Sequence, residues 1–276
     1  MELVIQPDAE CAAWLVASLI AKALREKPHL VLGLATGRTM ERVYGYLVQM
    51  HREEKLDFSL CRTFNLDEYI GLSPDHPGSY RYYMDHHLFN HINIDHRNTF
   101  LPDGTAPDLK AACRRYEETI LEFGGIDLQL LGIGADGHIG FNEPLSALRS
   151  RTREKALTPS TIAVNSTLFR RPEEMPTRAL TMGVGTILDA SNIILLVTGS
   201  TKSDILAKAV EGPITAMVSA SALQLHPHCQ VVVDEHAAVK LQAQEYYRWV
   251  FDNEPDWAEF RAPCPSRKVL PHHRPK

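Results

Sequence analysis

Apolar runs alternate with amphipathic stretches along almost the whole chain. Leu3-Val4-Ile5 predicts a short strand. Residues 9–26 then place Ala13, Val16, Ala17, Ile20 and Leu24 on one helical face, with Asp8 positioned to cap the first turn. Leu30-Val31-Leu32-Gly33-Leu34 predicts a buried strand, followed by a turn and a helix across 39–54, and Thr63-Phe64-Asn65-Leu66 predicts a third strand. Thr105-Ala106-Pro107-Asp108 has the form of a capping box, ahead of a helix with Leu109, Ala112, Tyr116 and Ile120 on one face. Residues 126–133, 193–197 and 230–233 predict three more strands, the first apolar apart from Asp127, Gln129 and Gly132. These strands are continuous apolar runs, as expected of a parallel sheet covered on both faces. Strand–helix alternation then predicts a doubly wound, mostly parallel α/β fold of Rossmann-like form. Residues 1–250 read as one α/β domain. Residues 251–276, rich in proline and basic side chains and without periodicity, read as a C-terminal tail.

Charge and composition narrow the partners. The chain has 276 residues, 44% of them hydrophobic, enough to bury one large core. A net charge of −5 argues against nucleic acid or an anionic membrane as partner, while leaving room for one basic pocket. No stretch approaches the ~20 apolar residues that span a bilayer, and the N-terminus lacks the basic start and apolar run of a signal peptide. The five cysteines (11, 61, 113, 229 and 264) include no C-x-x-C pair, so reduced, mostly buried thiols in a cytoplasmic protein are expected.

Ligands in such sheets bind beyond the carboxyl ends of the strands, and the residues there carry chemistry. After the second strand, Thr36, Gly37, Arg38 and Thr39 lead into a helix, a junction that offers backbone N–H groups, hydroxyls and a guanidinium to a phosphate. A steric role for Gly37 is the plainer reading of that segment taken alone. After the third strand, Asp67 and Glu68 are adjacent, and alternation lets only one of them face a given pocket. A carboxylate held in a cleft gains basicity; the plainer alternative is an acidic helix cap in solvent.

The segment from Gly132 to Pro144 is the most informative. Gly132, Gly134 and Gly137 let backbone approach a ligand, and Asp136, His138 and Glu143 put an imidazole between two carboxylates within eight residues. A metal would need more than this single histidine, and no second ligand cluster is visible; His86-His87 and His272-His273 read as surface pairs. Lys202, near the start of a further helix, is within reach of a phosphate or is simply an exposed lysine.

Taken together, Leu32–Gly37, Phe64–Leu72, Gly134–Pro144, Ser150–Arg153, Ala179–Thr186 and Leu223–His226 resemble the glucosamine-6-phosphate deaminase/isomerase family, in the family's order and over roughly residues 1–250. The Asp67-Glu68-Tyr69 segment separates the deaminases from the related 6-phosphogluconolactonases. The resemblance implies conversion of glucosamine 6-phosphate and water to fructose 6-phosphate and ammonium, with a lid segment over the site and no metal or organic cofactor. It implies Asp67 as the base at C2, and Asp136, His138 and Glu143 as the ring-opening set. With the loop chemistry above, it places substrate on Thr36, Gly37, Thr39, Gly132 and Lys202, with Arg38 added by its own guanidinium and not by the family pattern, and it maps an allosteric site onto Ser146, Arg153, Lys155 and Tyr246. Family members carry a phosphate-clamping arginine where this chain has Thr167, and a small residue where it has Arg38. Either the clamp has moved to Arg38 or the substrate is another amino-sugar phosphate. A sugar-phosphate sensor is disfavoured because the sugar domain begins almost at Met1, and a homo-oligomer is compatible with family habit.

Overall fold

The computed structural model describes residues 1–169, 171, 174–262 and 264. In chain order the elements are β1 (Glu2–Gln6), α1 (Ala9–Glu26), β2 (Val31–Leu34), α2 (Arg38–Glu54), β3 (Arg62–Asn65), β4 (Asp67–Tyr69), α3 (Tyr80–His87), β5 (Thr99–Phe100), α4 (Leu109–Glu122), β6 (Leu128–Leu131) and β7 (Arg153–Ala156). There follow α5 (Pro159–Asn165), β8 (Arg178–Thr181), α6 (Val184–Leu188), β9 (Asn192–Val197), α7 (Ser203–Val210), β10 (Cys229–Asp234), α8 (Glu235–Ala238) and α9 (Gln244–Asn253).

Among the described residues, seven strands form one sheet in the order β1-β10-β9-β6-β2-β3-β5, with every pair parallel. Each central strand is buried on both faces, which is why the runs read as continuous rather than alternating. From β2 the chain moves outward through β3 to β5, then returns to the other side of β2 for β6, β9 and β10. Right-handed crossovers therefore set α1 and α2 on one face, where they pack together, and α4, α6 and α7 on the other. The two directions part between β2 and β6, and the crevice beyond that point is where this topology places a ligand.

A second sheet, β4-β8-β7, is antiparallel, and its strand β4 leads Asp67 and Tyr69 into the wall of the crevice. The periodicity gave no sign of it: its strands are three or four residues long, and β7 buries alternate positions only partly. Asp67 is consequently the first residue of a strand and not a turn residue. The helix caps follow elementary chemistry. The Asp8 side chain accepts from the Cys11 N–H at 2.9 Å, as expected. The cap of α4 is Asp108, which accepts from the Ala111 N–H, and not Thr105. Thr105 spends its hydroxyl on Asp103, and the helix begins after Asp108.

The segment read as a tail does not stand apart from the domain at residue 250. That position lies inside α9, and the 3-10 turn after it buries Trp257, 1% exposed, with its indole N–H donated to Glu2 at 2.9 Å. A tryptophan in a short acidic stretch beside a proline has no period to reveal it, yet it closes one end of the core. Residues 265–276, including His272-His273, lie outside the described residues. No helix among the described residues is long and apolar enough to cross a membrane.

Candidate active site

A cleft of about 760 Å³ opens at the carboxyl ends of β2, β3, β6 and β9. Asp67, Asp136, His138, Thr36, Gly37, Arg38, Thr39, Gly132 and Lys202 all line it. Glu143 lies just behind the wall, against His138.

Asp67 and Glu68 divide as alternation requires. Glu68 turns away and caps α3, accepting from the N–H groups of Tyr69, Tyr80 and Arg81 at 2.8–2.9 Å. Asp67 turns into the cleft, 6% exposed, and its carboxylate accepts no hydrogen bond from a described residue. Burial pushes its pKa up to about 8; the Glu68 charge adds to the rise and His138 opposes it. Gly140, at φ +57, passes so close that a Cβ there would stand 2.9 Å from Thr181 Oγ1 and 3.5 Å from Asp67 Oδ2.

His138 faces two carboxylates through one nitrogen. Its Nδ1 is 2.6 Å from Asp136 Oδ1 and 3.3 Å from Glu143 Oε2. Burial disfavours the imidazolium, but the two carboxylates outweigh burial and raise the pKa to about 9. Burial alone would raise Asp136 and Glu143, yet the imidazolium draws both below the ordinary range. The ring lies flat on Gly134, where a Cβ would come within 2.3 Å of Cε1 and Nε2. That close approach is what the glycine is for. The same three side chains gather within 4.8 Å, a spacing a metal could use. However, Nδ1 and Oδ1 stand 2.6 Å apart, closer than the roughly 3 Å between two ligands each 2.0–2.2 Å from one ion. The donor set suits a proton better than a cation.

The opposite end of the cleft is built for an anion. Gly37, at φ +121, starts the 17-residue helix α2 with no side chain on its first N–H groups. Arg38 is the first residue of that helix and makes no ion pair with a carboxylate among the described residues. Lys202 enters beside α7, its charge disfavoured by burial and supported by Asp136. Thr167 also lines the cleft, its hydroxyl donated to Val164 O at 2.9 Å.

Apart from Tyr69, which belongs to the Asp67-Glu68-Tyr69 segment, several lining residues have no signature in the sequence. Tyr80 donates to the Tyr69 hydroxyl at 3.2 Å, and Asn165 donates to Tyr69 at 3.1 Å. His87, read as a surface residue, instead lines the cleft beside Tyr83, and burial plus His86 and His91 lower its pKa to about 4. These residues come from separate elements, and no spacing in the chain joins them.

The four positions mapped to an allosteric site do not line the cleft. Ser146 is buried with an unpaired hydroxyl, and Arg153 donates to Asn142 Oδ1 at 2.9 Å. Lys155 is two residues along β7 from Arg153, whereas Tyr246 sits on α9 in a separate small recess bounded by Met1, Leu3 and Val210.

Residues 8–233 match the family described as glucosamine-6-phosphate isomerases/6-phosphogluconolactonase. The chain is 50% identical over 250 residues to a glucosamine-6-phosphate deaminase of Hahella chejuensis (strain KCTC 2396), covering 91% of this chain and 95% of that one. It is 48% identical over 257 residues to a glucosamine-6-phosphate deaminase of Arthrobacter sp. (strain FB24), covering 93% and 99%. Its structure is similar to that of a monomeric glucosamine-6-phosphate deaminase, with a TM-score of 0.85 and 43% identity over 87% of this chain and 100% of that one. A 6-phosphogluconolactonase from Trypanosoma cruzi shares the fold at a TM-score of 0.70 with 18% identity, over 87% and 97% of the two chains.

Proposed function

The chain belongs to the glucosamine-6-phosphate isomerase/6-phosphogluconolactonase family and is a glucosamine-6-phosphate deaminase, and we propose that Asp67, Asp136, His138 and Glu143 carry out its reaction. Glucosamine 6-phosphate and water become fructose 6-phosphate and ammonium. The observation that carries the residue assignment is the placement, in one cleft, of an unbonded buried carboxylate and an imidazole held between two others.

The substrate phosphate seats on Thr36, Gly37 and Thr39, at the start of α2, with Lys202 and Arg38 supplying charge. The His138 imidazolium gives a proton to the ring oxygen, and the imidazole left behind takes the proton of O1, opening the ring. Asp136 and Glu143 hold the imidazole through both states. Asp67 then takes the proton from C2 and returns it at C1. Water adds to the resulting imine at C2, and ammonium leaves. A carboxylate with a pKa of about 8 is a far stronger base than one in solvent, and the substrate's own ammonium at C2 favours its ionised form. A cytoplasmic location is supported by the buried free thiols of Cys61, Cys113 and Cys229.

Exchange of the C2 proton with solvent, followed by NMR, tests the assignment. Asp67→Asn should abolish exchange; exchange at the wild-type rate would remove Asp67 from the role.

A further inference from the structure

Glu143 has two oxygens with different tasks. Oε2 faces His138 Nδ1 at the ion-pair distance of 3.3 Å, inside the protein and without a hydrogen-bond partner among the described residues. Oε1 faces the other way, into the first turn of α5. There it accepts from the Thr161 hydroxyl at 2.6 Å, with the Thr158 hydroxyl at 3.2 Å and the Thr158 N–H at 3.5 Å. Thr161 is itself 6% exposed, and the Thr158 hydroxyl lies 3.1 Å from its own. Thr158 caps α5 by accepting from the Thr161 N–H, and its single hydroxyl proton is shared among Glu143, Ser160 and Thr161 at 2.9–3.2 Å, so the shorter bond from Thr161 is the one that fixes the rotation of the carboxylate.

Rotation matters because Oε2 is not anchored by anything but its approach to the imidazole. A carboxylate free to turn would put neither oxygen reliably within reach of Nδ1. Thr161 lies on α5, whereas Glu143 and His138 share the loop after β6, so the bond that orients Glu143 spans two parts of the fold. One turn further along the same helix face, Asn165 donates to Tyr69, whose hydroxyl also accepts from Tyr80. The helix is thus seated by two polar bonds, one at the ring-opening set and one at the aromatic wall of the cleft.

We infer that Thr161 is a positioning residue for ring opening: its hydroxyl orients Glu143 toward His138, so the proton-transfer set is complete only when α5 is seated. This rests on the assignment of ring opening to His138 given above. A hydroxyl that merely stabilised the fold would affect every step alike. A hydroxyl that orients Glu143 acts on the cyclic substrate and on the imidazole.

The test compares Thr161→Val, which keeps the shape and removes the hydroxyl, with Thr161→Ser, which restores it. The substrates are glucosamine 6-phosphate and 5-deoxyglucosamine 6-phosphate, which has no ring oxygen to form the six-membered ring. Loss of a hydrogen bond to a charged group should lower kcat on the cyclic substrate by about tenfold or more in the valine variant, with KM nearly unchanged. On the deoxy substrate the loss should be less than about threefold, because the affected step is bypassed. The serine variant should recover most of the cyclic activity. The His138 titration, followed by NMR of histidine-labelled protein, should move down in the valine variant and return in the serine variant.

His138→Gln is the control. If it depresses both substrates equally, the ring-opening role of His138 fails. If it spares the deoxy substrate while Thr161→Val depresses both equally, or neither, the role of Thr161 alone is overturned. Failure of serine to rescue, with an unmoved His138 titration, overturns it as well.

Discussion

Replacing Asp67 by asparagine removes the base and should also relieve the fold. The folded protein holds a proton on Asp67 up to a pH of about 8, whereas the unfolded chain releases it near 3.8. Between those values the folded state binds the extra proton, so this residue makes stability fall as pH rises, and its effect is level above about pH 8. A tenfold difference in proton affinity between the two states corresponds to about 1.4 kcal/mol, so between pH 5.5 and 8 the wild type should lose about 3 kcal/mol through this group. Asparagine has the same shape and no charge to desolvate, and it loses nothing over that window from this position. Urea denaturation of both proteins at pH 5.5 and 8 measures the gap. The variant should gain about 3 kcal/mol on the wild type between the two, while its kcat falls by roughly 10²–10⁴. A gap that does not widen with pH would refute the reasoning: Asp67 would then ionise as it does in solvent, and burial would not be what makes it a base.

His138 tilts stability in the same direction for the opposite reason, because the fold favours its charged form. Its folded pKa of about 9 lies above the usual 6.5, so its stabilising contribution is complete below 6.5 and is lost as pH rises toward 9. His138→Gln should show a shallower fall in stability over that window by the same denaturation measurement. Gly134→Ala would place a methyl within 2.3 Å of the imidazole and should displace it, lowering kcat tenfold or more with a smaller effect on KM, measured by ammonium release. Arg38→Ala should raise KM for glucosamine 6-phosphate by roughly one to two decades, since a charge-assisted bond contributes about 1.5–3 kcal/mol. Arg38→Gly should be as poor until Thr167→Arg is added; an Arg38→Gly protein with wild-type KM would show that Arg38 does not reach the phosphate.

The parallel sheet and the places where chemistry could occur were legible in the order of residues alone. Runs such as Leu30–Leu34 and Ile193–Val197 are apolar at every position because both faces of the strand are covered, and that property is local enough to be read without a structure. The alternation of side chains sent Asp67 and Glu68 to opposite sides, and the short Gly132–Glu143 segment could not help bringing His138 near its carboxylates. Tertiary structure decided what no spacing encodes. The sheet of β4, β7 and β8 assembles from three short strands spread over more than a hundred residues. Trp257 became core because the chain's end returns to Glu2. His87 entered the cleft because α3 is turned by the Glu68 cap and packed beside α2, not because of its neighbours in sequence. Thr161 reached Glu143 across eighteen residues of covering segment. A side chain's type says which proton it can move; burial and the company of distant residues set how tightly it holds that proton, and only the folded chain supplies them.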